Sequence, residues 1–301
     1  MAINSAAIYK SIEPVVRHFW GLEVDGEKNP QIFDSIFDVE ETDEPVMEAT
    51  EYGGAGPMSY KAENERIVFD EIVQGGTKRW SAGTWASGIE ISLEAAEDTK
   101  YRAIRTSAQS LGRTARLTPE YLTAQFLDRA FNTSFPATND GLPVLSASHV
   151  VPKGGTYSNL LANPYSLGEF ALEQVFQNLA VLPGPDGMIT PLVPRQLIVP
   201  AALGPLAWKL HQTQLQVGSA NNDRSFIAGK FDVTVFNYLG SNSRWFVKTD
   251  AQDGLFWKWR VKPQFMRDNI DAVTMALYMT RFRAYWGIID GRGLYGSNAA
   301  S

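Results

Sequence analysis

"AVTMALYMTRFRAYWGIIDGRGLYGS", residues 272–297, decides how this chain is read. Val273, Met275, Leu277, Met279, Arg281, Arg283 and Tyr285 fall on one parity. Ala272, Thr274, Ala276, Tyr278, Thr280, Phe282, Ala284 and Trp286 fall on the other. A period of two sends successive side chains to opposite faces, so the stretch predicts a strand. Neither Gly nor Pro interrupts it before Gly287. At ~3.3 Å per residue it would reach roughly 50 Å, whereas most strands have about 5–6 residues. A strand this long is a means of reach more than a wall for a pocket.

Working outward, "FDVTVFNYL", "SRWFVKTD" and "GLFWKWRVKPQF" predict further strands just upstream, and "PRQLIVP" (194–200) a short buried one. Residues 201–213 and 166–182 carry helical spacing. Residues 132–164 and 219–230 read as loops, the second of them mobile. Before these lies a long helix, with Ser92 as N-cap and Glu94, Glu97 and Asp98 in its early turns. Its apolar stripe is Tyr101, Ile104, Ala108, Leu111, Ala115, Thr118 and Leu122. A second stripe reads Arg102, Arg105, Gln109, Arg113 and Arg116. Pro119 predicts a kink or a restart capped by Thr118, with the helix running on through Phe131. Upstream again, residues 59–73 and 77–92 predict a long hairpin turning at Gly75-Gly76. Residues 29–60 contain no Lys or Arg, and Asp38, Glu40, Glu41 and Glu44 fall in an acidic run. That run is either a solvated arm or one lying on a basic surface. The order of elements is α+β, not alternating βαβ.

The 301 residues allow two domains or one large one, and 44% hydrophobic content supports a packed core. A formal net charge of -6 argues against a surface wholly given to nucleic acid. With no cysteine, disulfides, thiolate metal sites and Cys nucleophiles are excluded, which suits a reducing cytosol. The first residues form no secretory signal, and no window has ~18 apolar residues to cross a membrane. His18, His149 and His211 have no neighbours at metal-ligand spacing. Ser146 and Ser148 flank His149 without a GxSxG elbow, and "GGTK" (75–78) lacks phosphate-loop spacing. The sequence therefore names no catalytic residue, cofactor or metal. The aromatics of "RWFVKTDAQDGLFWKWR" read as core before they read as a base-stacking platform.

Four local patterns in this order resemble the major capsid proteins of tailed bacteriophages, with the Hong Kong 97-type fold. They are "GIEISLEAAEDTKYRAIRTSAQSLGRTA" (88–115), "DGLPVLSASH" (140–149), "RQLIVPAALGPLAWKLHQT" (195–213) and "RFRAYWGIIDGRGLYGS" (281–297). The resemblance covers nearly the whole chain. It implies an N-arm over residues 1–52, an E-loop hairpin over 53–91, and spine helix and P-domain over 92–190. An A-domain over 191–262 and a C-terminal return strand of the P-domain over 263–301 complete it.

The function so implied is self-assembly into hexamers and pentamers of an icosahedral head, formed in the host cytoplasm around sequence-independent double-stranded DNA. A separate scaffolding protein, a portal and a decoration protein are the implied partners, with no membrane. The inter-subunit contacts expected are Lys78, Arg79, Trp80 and Trp85 in the E-loop and Asp38, Glu40, Glu41 and Glu44 in the N-arm. Arg102, Arg105, Arg113 and Arg116 would face the shell interior or dock the arm. Two other readings are an encapsulin-like nanocompartment shell and a soluble enzyme with a loop-built site. Encapsulated nucleic acid separates the phage head from the nanocompartment, and catalytic turnover would mark the enzyme.

Overall fold

The computed structural model describes residues 5–24, 31–92, 101–135, 137–214, 224–270 and 275–299. Two compact units are formed. One takes Met1–Val46, Ser81–Thr123 and Trp257–Trp286, the other Met47–Trp80, Ala124–Phe256 and Gly287–Ser301. The proposed cap Ser92 precedes residues outside the described set. Glu94, Glu97, Asp98, residues 271–274 of the opening stretch and residues 219–223 of the loop lie outside it.

The first unit is built on a sheet of four strands in the order β1 (Asp38–Glu41), β10 (Leu255–Ile270), β11 (Met275–Ile288), β4 (Gly83–Ser92). β11 and β4 are antiparallel, from Met275 opposite Ser92 to Ala284 opposite Gly83. The alternation in the sequence is the alternation in space. Ala276, Tyr278, Thr280, Phe282 and Ala284 are buried, while Leu277, Met279, Arg281 and Arg283 are not. Trp85 stacks on Phe282 and leans on Trp286, and Trp286 stacks on Trp257 with ring centroids 4.7 Å apart. Aromatic pairs of this kind add about 0.5–1.5 kcal/mol beyond their area.

The long helix α3 (Tyr101–Asp128) buries the stripe its spacing defines. Ile104, Ala108, Leu111 and Ala115 are at most 3% exposed, and the first three pack with Val16, Ile91, Ala276 and Tyr278. Its neighbour α1 (Ser5–Val24) supplies Val16. Gly112 lets the two helices close up: a Cβ there would sit 2.6 Å from the Trp20 carbonyl oxygen. Pro119 does not restart the helix. The Thr118 hydroxyl donates to the Thr114 carbonyl at 2.7 Å and so belongs to the preceding turn, not to a cap. The helix ends at Asp128, three residues before Phe131.

The acidic run is not a solvated arm. Phe33, Ile36 and Phe37 are at most 1% exposed, and Phe33 and Phe37 pack on Trp257. They sit on or beside the single turn α2 (Phe33–Ile36), whose entry is held by Glu120: its Oε1 accepts from the Ile32 amide at 2.6 Å. Desolvation raises the Glu120 carboxyl pKa, and the amide hydrogen bonds from Ile32 and Phe33 partly offset this.

The second unit holds a sheet ordered β12 (Leu294–Ser297), β9 (Trp245–Thr249), β7 (Pro194–Val199), β8 (Asp232–Val235). β7 is parallel to β8 and antiparallel to β9. Helices α4 (Glu169–Ala180) and α5 (Gly204–Gln212) cover it through Leu172, Val175, Leu179, Ala207 and Leu210. The loop region from 132 to 164 contains one short ladder, β5 (His149–Val150) with β6 (Thr156–Tyr157).

The hairpin turning at Gly75-Gly76 does not form. β3 (Val73–Ser81) passes straight through both glycines and pairs with β2 (Val46–Gly53). The glycines serve close approach: a Cβ on Gly76 would collide with the Asn139 carbonyl, and one on Gly75 would lie 2.8 Å from Pro152. The strand is interrupted instead at Ala82, whose amide donates to the Pro45 carbonyl at 3.0 Å.

Leu111→Ala is expected to lower unfolding free energy by about 2–5 kcal/mol, because the site is closed on all sides. Leu111→Asp is expected to yield no folded chain, since it buries an unpaired charge. Thermal unfolding of the two variants checks both, and a wild-type midpoint in either would place this helix face at the surface.

Candidate assembly surface

The acidic residues read from the sequence lie on a basic row of their own chain. β10 alternates Lys258, Arg260 and Lys262 on one face. Glu40 meets Lys258 at 3.2 Å, Asp43 meets Arg260 at 2.9 Å, and Glu41 meets Lys262 at 2.6 Å. These carboxylates are largely exposed, so each pair contributes little, about 0–1 kcal/mol. The backbone fixes the register, with the Thr42 amide donating to the Trp259 carbonyl at 2.9 Å. Glu44 donates its amide to the Thr42 hydroxyl. Of the arginine row of α3, one guanidinium is engaged by a ring. Arg105 covers the Phe19 ring at 4.7 Å and the Arg116 carbonyl accepts from Gln31, while Arg102 and Arg113 are exposed.

The two tryptophans singled out for the hairpin are packed within the chain. Trp80 meets Phe256 edge-on at 5.1 Å and closes over Gly287. Trp85 lies in the aromatic seam on β11. Lys78 is half-buried, which lowers its ammonium pKa by desolvation, and Arg79 is exposed.

The exposed apolar surface lies just before β3. From Gly54 to Ile72 the backbone pairs with no sheet. Met58 and Tyr60 are essentially fully exposed, Phe69 is 89% exposed, and Ile67, Val68 and Ile72 are exposed beside it. The segment is tied at its base. Asp70 accepts from the Gly56 amide at 2.6 Å and pairs with Lys153. The Lys153 hydrogen bond, then the Gly56 amide, lower the Asp70 pKa. The sequence signal was available as a cluster of large apolar residues without alternation. It was missed because Trp carried more weight than Met, Ile and Phe.

The motif around His149 builds a buried polar network. His149 is 1% exposed, with Nδ1 2.8 Å from Asp140 Oδ2 and Nε2 3.3 Å from the Val144 carbonyl. It stacks on Tyr157, over whose other neighbour, Arg292, the cation–π distance is 4.2 Å. Arg292 donates to Pro183, Glu51 and Asp290, so it ties three distant segments together. Asn159 does likewise, donating to the Val144 and Gly291 carbonyls. Burial pushes the Asp140 carboxyl up, but hydrogen bonds from His149 and Thr138 outweigh it and hold it well below the usual carboxylate range. Among the described residues no group of three or more His, Cys, Asp or Glu is placed to hold a metal, and no helix is long and apolar enough to cross a membrane.

Residues 75–297 match the model of a family described as phage capsid protein. No curated protein sequence matches the chain. Among solved structures, the capsid of an empty GTA particle is similar over 99% of this chain and 100% of its own, at 13% identity and a TM-score of 0.53. The capsid of Myoviridae phage XM1 is similar over 91% and 93%, at 9% identity and 0.53. The procapsid of bacteriophage JBD30 is similar over 98% and 76%, at 13% identity and 0.53. These likenesses establish the fold, the Hong Kong 97-type fold anticipated from the sequence.

Asp140 provides a test of the network. A depressed carboxyl pKa stabilises above the unfolded value, ~3.9, and the contribution is lost as pH falls through the folded value. Asp140→Asn is expected to cost about 1.5–3 kcal/mol at pH 7. The difference between wild type and variant should shrink as pH falls from about 5 toward 2.5. Denaturant unfolding across that range reads it, and a difference that does not change with pH would show that the charge plays no part.

Proposed function

Because the chain belongs to the phage capsid protein family, we propose that its copies assemble as hexamers and pentamers and close into an icosahedral head around double-stranded DNA. It is a major capsid protein, and the shell of the virion is its place. The finer reading assigns residues 1–52 to an N-arm, 53–91 to an E-loop, 92–190 and 263–301 to the P-domain, and 191–262 to an A-domain. It gives the chain a structural role with no catalytic step. A separate scaffolding protein, a portal and a decoration protein would act with it during assembly in the host cytoplasm. The arginine row of Arg102, Arg105, Arg113 and Arg116 would offer charge to DNA phosphates or to another copy's acidic arm, an interaction independent of base sequence.

The observation that carries the lattice reading is the apolar segment from Met58 to Ile72. Burying one large apolar side chain is worth about 1.5–3 kcal/mol, so several in one segment suffice to drive association. Anchorage by Asp70 and Lys153 reduces the freedom lost on docking. Arg79 and Lys78, on the strand that follows, would add charge at the rim of the contact. Trp80 would hold β3 in place through Phe256, and Trp85 would hold β4 through Phe282.

Replacing residues 58–69 with a short Gly-Ser turn leaves Gly56, Asp70 and Lys153 in place. The variant is expected to stay soluble with an unchanged far-UV spectrum, and to form no closed particles by sedimentation and negative-stain microscopy. Shells of normal size and heat stability from this variant would overturn the assignment.

A further inference from the structure

The sheet of the first unit ends differently on its two sides. One edge is β1, four residues long, with every side chain exposed and Asp38, Glu40 and Glu41 among them. The other edge is β4, ten residues long. An edge strand offers a row of amide and carbonyl groups to any chain that meets it, and proteins blunt such edges with short strands, charge, proline or a bulge. β1 is short and acidic. β4 has no proline, Lys or Arg, and Glu90 is its one charged side chain. Its ladder with β11 runs from Met275 to Ala284 without a register shift. Among the described residues, residues 84–91 make no hydrogen bond except to β11.

The side chains add two observations. On the core face Trp85 and Ile89 are only half-buried, whereas the residues opposite them on β11, Phe282 and Tyr278, are at most 3% exposed. On the other face charges stand unmatched. Among the described residues Glu90, Arg281 and Arg283 have no ion-pair partner, and the Arg283 Nε is buried without a hydrogen bond. Within one copy Glu90 and Arg283 cannot meet. Arg283 stands opposite Thr84 and Glu90 opposite Leu277, so roughly 20 Å of strand lies between them.

We propose that β4 of two copies pair edge to edge, antiparallel, about a two-fold axis at Ser87, so that two four-stranded sheets become one. Residues standing opposite in an antiparallel pair share a face. The axis at Ser87 sets Trp85 opposite Ile89 of the partner subunit, an aromatic and β-branched pair that closes the half-open core face. On the other face it sets Thr84 opposite Glu90 of the partner subunit. Arg283 lies one strand further in and reaches that carboxylate across the short threonine, and the symmetry repeats the ion pair. Ala86 falls opposite Gly88 of the partner subunit, so no bulk and no like charge is opposed. Strand addition binds mainly through the backbone, which suits an edge whose outer face carries only Thr84, Ala86, Gly88 and Glu90. An isologous contact of this kind is the commonest in oligomers. It deepens the assembly reading and rests on it in one respect, because in a shell it would join one hexamer or pentamer to the next.

The chain has no cysteine, so single thiols report the pairing. Ser87→Cys sets two thiols across the axis, where antiparallel Cα atoms are ~4.5–5.5 Å apart and within disulfide reach. Thr84→Cys, at an exposed position, is the control, because the same axis holds its two copies roughly 20 Å apart. Purified full-length chain at high concentration, and assembled particles, are equilibrated in a glutathione redox buffer and run on non-reducing gels. Ser87→Cys is expected to shift from monomer to dimer and Thr84→Cys to remain monomer. Arg283→Glu or Glu90→Arg, added singly to Ser87→Cys, should lower the dimer yield, and the two together should restore it, which loss of folding would not do. Equal dimer from both thiols would overturn the pairing. So would particles of Ser87→Cys whose chains remain monomeric, a result that would leave the capsid reading intact and give the edge to another occupant, such as residues 65–72 of a neighbouring copy. A chain that forms the Ser87→Cys dimer but no particles would support the pairing and count against the capsid reading alone.

Discussion

The first unit depends on covering one face of β11. Five alternate residues of that strand, from Ala276 to Ala284, are removed from water. Each neighbouring element supplies part of the cover: α3 with Ile104 and Leu111, β4 with Trp85, and β10 with Trp257 and Trp259. A slip of one residue in the β4–β11 ladder would expose that face and bury Arg281 and Arg283 in its place. The register is therefore set by what the two faces can tolerate. The position of α1 follows from the same demand, because Val16 completes the cluster and Gly112 allows the approach.

Most parts legible in the sequence share a physical property: strict periodicity over many residues. β11, the stripe of α3 and α4 are of this kind, while β7 is legible as a short apolar run between two prolines. The parts that were misread depend on contacts between residues far apart. Gly75 and Gly76 look the same in a turn as in a strand crowded by Pro152 and Asn139, since both uses require the missing Cβ. Phe33, Ile36 and Phe37 are three apolar residues at helical spacing, but four acids surround them within a few positions and hide the pattern. Pro119 is a breaker by rule, through the amide hydrogen bond it removes and the clash of its ring with the preceding turn, yet α3 continues through it to Asp128.

The candidate surface was legible in kind but not in place. Sequence alone ranks Trp80 and Trp85 as contact residues because such residues anchor interfaces. Their chemistry is equally suited to a core, and the rings of this chain are engaged there. The segment from Met58 to Ile72 has the complementary property, large apolar side chains left exposed among the described residues. Only burial separates the two cases, and burial is a property of the fold. The buried residues Arg292 and Asn159 were beyond reach for the same reason, because each joins carbonyls or carboxylates from segments more than a hundred residues apart.

The pairing of β4 with β11 also bears on biosynthesis. Ser92 meets Met275, and Gly83 meets Ala284. While the chain emerges from the ribosome, β4 lacks its partner β11 until that strand has been translated. Contacts of such long sequence separation form late and make folding slow. Until then the covered face of the sheet does not exist, and the stripe of α3 lacks the contacts it makes with Ala276 and Tyr278. A nascent chain therefore cannot present the finished subunit surface to its neighbours on a polysome. The topology itself delays association until β11 has been made.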